Sequence, residues 1–402
     1  MELYILLKFS TLESNLHINE KLYNDLSKKF KKICFVNVSK LRPFGNFRNF
    51  KIKKNIIRNN KKFKFLEIEN EKQFRKILYK KDVVVINNFS YSFKDYYLHY
   101  LVKKYSLFQI IIQNIGFIPG GERHAKKKIF TKIKFFFYKT LPHKLFSILL
   151  IFKIFKPVDI RFISNKDLFL KIEKSKRNKL QKKLTYLQIN QYKKNFLINS
   201  RSHDIFYKNK DIKINDKYIT FIESHIDHRD KVRDEGKSSP YDKKNYYKKI
   251  NILFDKLSKI YKKKIIICVH PKYSISEANK NFKKFKVVKF KTREYITKSF
   301  MVCFHDSSAI LDAFYLNKNV LSIQSKHLGK LYAYRNNIYH KHIPIFTINI
   351  DNEIKISKNE IKNKLNLAKK KYNHFKEIFL VRDKHKLGSN QIFNIIKREY
   401  SS

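Results

Sequence analysis

Lys264-Ile265-Ile266-Ile267-Cys268-Val269 runs straight into His270-Pro271, and Phe300-Met301-Val302-Cys303-Phe304 runs into His305-Asp306-Ser307-Ser308. A helical run, Ser307–Leu316, and a further short strand, Val320-Leu321-Ser322-Ile323, complete the stretch. Open α/β sheets bind ligands at the carboxyl ends of their strands, which is where these small polar groups fall. A Ser-Ser pair opening a helix suits an anion, because free backbone N–H groups and the helix dipole point there. The stretch therefore offers a place for a nucleotide phosphate, with a histidine beside it.

The same alternation extends outward in both directions. Tyr218–Glu223 reads as a strand and Asn245–Tyr261 as a helix, with Ile250, Leu253, Phe254, Leu257 and Ile260 on one face. Val287–Phe290 reads as a strand and Thr292–Lys298 as a short helix, so this half predicts a doubly wound unit of at least four parallel strands. In the first half, Tyr4–Phe9, Ile33–Val38, Phe63–Ile68, Val83–Asn87 and Phe108–Gln113 read as strands. Asn70–Lys80 and Phe93–Tyr105 read as helices between them. The expected organisation is an α/β domain over 1–200, a second over 201–354, and a basic helical tail, 355–402, packing back on the first. The lysine-rich, weakly periodic stretch Ser164–Asp216 separates the halves.

The chain has 402 residues, 43% of them hydrophobic, enough for sizeable cores and against disorder. Its 90 Lys+Arg against 33 Asp+Glu give +57, which favours anionic partners. A Lys-, Ile- and Asn-rich usage contributes part of that surplus. The basic residues are spread along the whole chain and no standard nucleic-acid-binding motif appears, so nucleic acid is the weaker of the polyanionic readings. Cys34, Cys268 and Cys303 are far apart in apolar runs, which predicts reduced core thiols rather than disulfides or a zinc site. The amino terminus lacks a basic region and a cleavage site, and no apolar run approaches the roughly 20 residues that span a bilayer. A cytoplasmic protein is expected, with peripheral attachment to the cytoplasmic face of a membrane open.

With His270-Pro271 after one strand and Ser307-Ser308 after a later one, the chain resembles GT-B glycosyltransferases, in which two doubly wound Rossmann-like domains face each other across a cleft. More narrowly, it resembles bacterial enzymes of capsule and surface-polysaccharide biosynthesis: polysialyltransferase-like proteins, capsule sugar transferases and CDP-glycerol glycerophosphotransferases. The turn Leu316-Asn317-Lys318-Asn319-Val320 and the segment Arg201-Ser202-His203-Asp204-Ile205-Phe206-Tyr207 add to the likeness. Asp306 stands where the glycerophosphotransferases usually carry a tyrosine before the serine pair. The resemblance covers about Asn199 to Ile323. It implies that His270, Pro271, Asp306, Ser307 and Ser308 hold the donor's phosphates, that His270 stabilises the leaving nucleotide, and that Glu294 lies near the base or ribose.

Each of these residues also has a plainer reading. His270-Pro271 is equally a strand end closed by a residue without an N–H. Asp306-Ser307-Ser308 is equally an N-cap, and a first-turn Glu294 simply complements the helix dipole. Asp312 reads as a packing residue. Gly116-Phe117-Ile118-Pro119-Gly120-Gly121-Glu122-Arg123-His124 concentrates glycine in a glycine-poor chain. It is the candidate acceptor loop, with Glu122 or His124 as catalytic base; the alternative is a surface loop. Glu223–Asp230 is a polar cluster at a strand end, without the spacing of a metal site. Residues 125–156 are basic and aromatic and read either as core helices or as an interfacial segment on anionic lipid.

The expected activity is a metal-independent, inverting transfer of a sugar from a CMP- or UDP-type nucleotide donor to a surface-polysaccharide or lipid-linked glycan acceptor. No Asp-x-Asp pair occurs and no cofactor is implied. A CDP-glycerol-type glycerophosphotransferase is the near alternative, and a basic nucleic-acid-binding protein the alternative of another class. An anionic membrane surface is the expected setting.

Overall fold

The computed structural model describes residues 1–7, 12–41, 61–79, 82–87, 89–90, 92–106, 108–116, 136–177, 191–207, 214–224, 242–271, 273–353 and 357–401. The chain forms two compact units. The first comprises Met1–Gly116, Ile129–Ile205 and Val381–Ser402; the second is built from Phe206–Leu380.

The first unit has a seven-stranded sheet: β1 Glu2–Leu7, β2 Lys32–Asn37, β3 Phe63–Glu67, β4 Val83–Ile86, β5 Phe108–Gln113, β6 Val158–Ile163 and β7 Tyr192–Leu197. The spatial order is β3-β2-β1-β4-β5-β6-β7, every pairing parallel. Successive strand residues face opposite sides. Leu3, Ile5 and Leu7 join one core with Leu22 and Leu26 of α1 (Leu12–Ser27). Tyr4 and Leu6 join the other core, with Phe74 and Leu78 of α2 (Glu71–Leu78) and Leu98, Leu101 and Val102 of α3 (Phe93–Tyr105). Burial on both faces explains why these strands read as unbroken apolar runs. Then follow α4 (Leu141–Ile151), α5 (Lys166–Arg177) and the short α6 (Arg201–Phe206).

The second unit contains β8 Tyr218–Ile222, α7 Lys243–Tyr261, β9 Lys264–Val269, α8 Ile275–Asn281 and β10 Lys286–Lys289. It continues with α9 Thr292–Thr297, β11 Ser299–Phe304, α10 Ile310–Tyr315, β12 Asn319–Gln324, α11 Lys330–His340 and β13 Phe346–Asn349. Its six strands are ordered β10-β9-β8-β11-β12-β13, all parallel. The order reverses between β8 and β11, which makes the carboxyl edge there the natural ligand position. Ile250, Leu253, Phe254 and Leu257 of α7 pack on Ile219, Phe221, Ile265 and Ile267. The α7 amino end is capped by Asp242, whose Oδ1 accepts from Asn245 N at 3.0 Å.

The six strands of the second sheet agree with the expected four or more. In the first unit β6 and β7 add to the five expected strands, and the helical tail comprises three helices. Ile361 and Leu365 of α12 (Lys358–Lys369) join the second core. Tyr372 and Phe375 of α13 (Tyr372–Phe379) stack around Phe314 of the second unit. Only α14 (Gly388–Ser401) belongs to the first unit, where Ile392 and Ile396 enter its core. The three cysteines are buried and unpaired, and burial pushes the Cys268 thiol up to about 12. Among the described residues, no helix is long and apolar enough to cross a membrane.

Candidate functional site

The register of the second sheet fixes the height of its strand ends. Ile222 of β8 pairs with Cys268 of β9 and with Phe304 of β11. Two residues further along each chain lie Ser224, His270 and Asp306, which therefore share one row at the carboxyl edge. Neighbouring strands are about 4.8 Å apart, so Cys268 and Phe304, which flank Ile222 at the β8 end, are about 10 Å apart, two residues before His270 and Asp306. Ser224 Oγ donates to the Asp306 carbonyl at 2.8 Å and ties two of the three ends together.

His270 is held by the turn that follows β9. Tyr273 N donates to the His270 carbonyl at 2.8 Å. Tyr273 is itself anchored: Asn281 Nδ2 donates to its hydroxyl at 2.6 Å, Tyr247 Oη lies 3.2 Å from it, and Lys289 Nζ donates to its carbonyl at 3.0 Å. Burial raises the Tyr247 and Tyr273 phenols well above their ordinary value, so they stay protonated at neutral pH. His270 and Pro271 remain half-buried at the rim.

His305, the other strand-end histidine, has a different fate. It is buried, with Phe221 edge-on at 5.0 Å. Its Nδ1 lies 2.9 Å from the Ile323 carbonyl, and its Nε2 meets the Tyr246 hydroxyl. A carbonyl only accepts, so Nδ1 carries the proton and Nε2 accepts from Tyr246. That network holds His305 inside the core.

Asp306 does not cap a helix. Its carboxylate is paired with Arg335 of α11, and α10 starts only at Ile310. Ser307 Oγ accepts from Ala309 N at 3.3 Å, the local turn an N-cap serine makes one residue early. Ser307 and Ser308 are both half-buried at the edge. The serine pair lies in the turn that leads into α10: Ile310 N donates to the Ser307 carbonyl at 3.2 Å and Leu311 N to the Ser308 carbonyl at 3.3 Å. Asp312 is buried against Arg293 of α9 at 3.4 Å, in keeping with a packing role.

Glu294 is exposed on α9 and paired with Lys298 one turn on, 2.7 Å away; that hydrogen bond lowers its carboxyl below the usual range. This i,i+4 pair is the helix-surface use of the residue. Glu122 and His124 lie outside the described residues, as do residues 225–230 of the polar cluster and 125–135 of the basic segment.

Two residues of this edge escaped the sequence reading. Arg335 holds Asp306; its signal was an arginine in a chain whose cations are mostly lysine, since a planar fork suits a carboxylate. Phe290, directly after β10, is exposed and has φ 62°, a conformation costly for an aromatic residue. Lys289 Nζ sits 5.4 Å over its ring.

No protein-family model matches the chain, and no curated protein does. Solved structures do. UDP-GlcNAc 2-epimerase from Methanocaldococcus jannaschii aligns over 99% of this chain and 100% of its own at 14% identity, with a TM-score of 0.52. The wall teichoic acid polymerase TagF, soaked with CDPG, aligns over 100% of this chain and 88% of its own at 12% identity, also at 0.52. The fold is GT-B. At such identities the likeness establishes architecture, and the chemistry has to be argued from the carboxyl edge of the second sheet.

Proposed function

We propose that this GT-B chain is a metal-independent, inverting glycosyltransferase that takes a sugar from a nucleotide-activated donor and passes it to a surface-polysaccharide or lipid-linked glycan acceptor. The observation that carries the reading is the single row of Ser224, His270 and Asp306 at the strand-order reversal, with Ser307 and Ser308 next along the chain. A half-buried histidine and two serine hydroxyls give hydrogen-bond donors for phosphate oxygens without a metal. Phe290 offers a ring face at the same sheet edge for a nucleobase. In the reaction the acceptor hydroxyl oxygen bonds to the anomeric carbon as the bond from that carbon to the donor phosphate breaks. The phosphate leaves with the electron pair, and a base takes the acceptor proton. His270 stabilises the charge that develops on the leaving phosphate, and the Gly116–His124 loop, with Glu122 or His124, supplies the base.

A thermal-shift panel of CMP, CDP, UDP and GDP tests donor binding, because any ligand that binds only the folded state raises the melting temperature. Response to a nucleotide that His270→Ala reduces, with the variant's own melting temperature unchanged, supports the reading. Undiminished sugar transfer by His270→Ala sinks the role given to that residue. A preference for cytidine directs the assay to sialyl donors and to CDP-glycerol-type polyol-phosphate transfer; uridine or guanosine directs it to ordinary sugars.

A further inference from the structure

We infer that the segment 136–156 of the first unit is a docking surface for an anionic lipid bilayer. The helix α4 buries Pro142, Phe146 and Leu150 and turns Lys144, Ile148 and Ile151 outward. Phe152 follows, 72% exposed, with Ile151 at 55% and Ile154 at 44%. Phe136 and Phe137, in the turn leading into the helix, are 41% and 54% exposed.

The composition of this outward face sets it apart within the same molecule. On α7 the exposed positions are Lys244, Lys248, Lys256 and Lys259 with one isoleucine, Ile252, as a solvated helix face should be. On α4 two of the three exposed positions, Ile148 and Ile151, are aliphatic, and exposed Phe152 follows directly, a concentration that marks an interaction site.

The face is also held rigidly. Phe146 and Phe155 stack at 4.7 Å, and both pack on His99 and Tyr96 of α3. Between them the chain reverses through Lys153 at φ 56°, with Ile154 N donating to the Leu149 carbonyl at 2.8 Å and Phe155 N at 3.1 Å. Phe155 thus anchors the tip from within while Ile151, Phe152 and Ile154 project from it.

Charge decides the occupant. No acidic residue occurs between Glu122 and Asp159. Lys144 and Lys153 are exposed among the apolar groups, and Lys103 reaches the tip by donating to the Lys153 carbonyl at 2.5 Å. Exposed rings and methyls beside the ammonium groups of Lys144, Lys153 and Lys103, in a stretch of sequence that carries no carboxylate, match hydrocarbon beneath anionic headgroups. The inference stands apart from the catalytic reading, since it uses only the first unit and none of the strand-end residues.

The chain contains no tryptophan, so Phe152→Trp places a single fluorophore at the tip. The full-length protein is titrated with vesicles of phosphatidylcholine alone and of phosphatidylcholine with phosphatidylglycerol. The expected result is a blue shift of Trp emission, and co-sedimentation, with the anionic vesicles only. Ile148→Gln/Ile151→Gln/Phe152→Gln, all at exposed positions, should bind about tenfold or more weakly with unchanged melting temperature. Lys144→Gln/Lys153→Gln should cost about fivefold per lysine. Three results would overturn the proposal. One is no binding to anionic vesicles, and another is sedimentation with unshifted emission and an indifferent apolar triple variant. The third is a concentration-dependent dimer that the triple variant abolishes while vesicle binding persists, since a second copy would then cover the face.

Discussion

Asp204 gives the structure its sharpest test. Its carboxylate is buried in the first unit and accepts from the backbone of the last helix: Gly388 N at 2.6 Å and Ser389 N at 3.1 Å. Burial raises its pKa from 3.8 to about 7, outweighing the two N–H donors that favour the charged form. The folded state therefore holds a proton on Asp204 that the unfolded chain has lost between about pH 4 and 7. Stability contributed by that proton is fully present below the unfolded value and disappears as pH rises through the folded one. Integrating the linkage between pH 8 and pH 5 gives about 2 to 3 kcal/mol in favour of the lower pH. His203 works in the opposite sense, because burial lowers its pKa and protonation in acid costs stability. Comparing wild type with Asp204→Asn removes that contribution, which both share. Urea unfolding from pH 5 to 8, with amide exchange across Gly388–Ser401 as the local readout, should show wild type losing stability as pH rises relative to the variant. Parallel profiles for the two proteins would refute the reasoning.

Other perturbations follow from neighbouring geometry. A Cβ at Gly388 would sit 2.9 Å from the Asn199 carbonyl oxygen and 3.1 Å from both Asp204 carboxylate oxygens, so Gly388→Ala should destabilise by about 1–3 kcal/mol in spite of alanine's better helix propensity; an unchanged urea midpoint would count against this packing. Phe290→Asn should leave stability equal or raise it by about 1 kcal/mol, because asparagine tolerates the left-handed conformation, yet should weaken nucleotide binding in the thermal-shift panel. Arg335→Ala strips the partner from the nearly buried Asp306 carboxylate and should cost roughly 1–3 kcal/mol, most of it recovered when Asp306→Asn is added; no recovery in the double variant would mean that Arg335 acts otherwise.

What was legible in the sequence follows from how each strand meets its surroundings. Strands buried on both faces, such as Ile33-Cys34-Phe35-Val36 or Ile265–Val269, show as unbroken apolar runs. β6 was hidden because Asp159 and Arg161 interrupt it. Both charges are satisfied by tertiary partners that a linear reading does not see: Asp159 accepts from Gln109 N at 2.8 Å and Lys193 Nζ at 2.6 Å, and Arg161 Nε donates to Gln113 Oε1 at 2.9 Å and lies over Tyr192. β7 was hidden by Lys193 and Lys194, the kind of charge that protects the edge of a sheet. The Arg201–Tyr207 segment, singled out for its resemblance, has a structural task beside any other. Asn199, His203 and Asp204 hold the Asp383–Ser389 stretch by hydrogen bonds, an arrangement spanning more than 180 positions of chain.

The candidate site shows the same division between local and tertiary information. His270 and His305 look equivalent in sequence, each following an apolar strand by one residue. Their difference is set by what packs above each strand end. Over β11 lie Tyr246 of α7 and Asn336 of α11, which bond the His305 ring and carbonyl and close it into the core. Over β9 the chain turns away at Pro271, and the tyrosine pair Tyr247–Tyr273 holds that turn down beside His270 rather than over it. The same α7 helix therefore silences one histidine through Tyr246 and positions the other through Tyr247, one residue apart. A Tyr247→Phe variant, which loses only the hydroxyl link to Tyr273, should loosen the His270 turn and weaken nucleotide binding without touching His305. Tyr246→Phe should leave the His305 Nε2 without its donor and reduce stability instead, so the two substitutions separate the roles that the sequence alone could not.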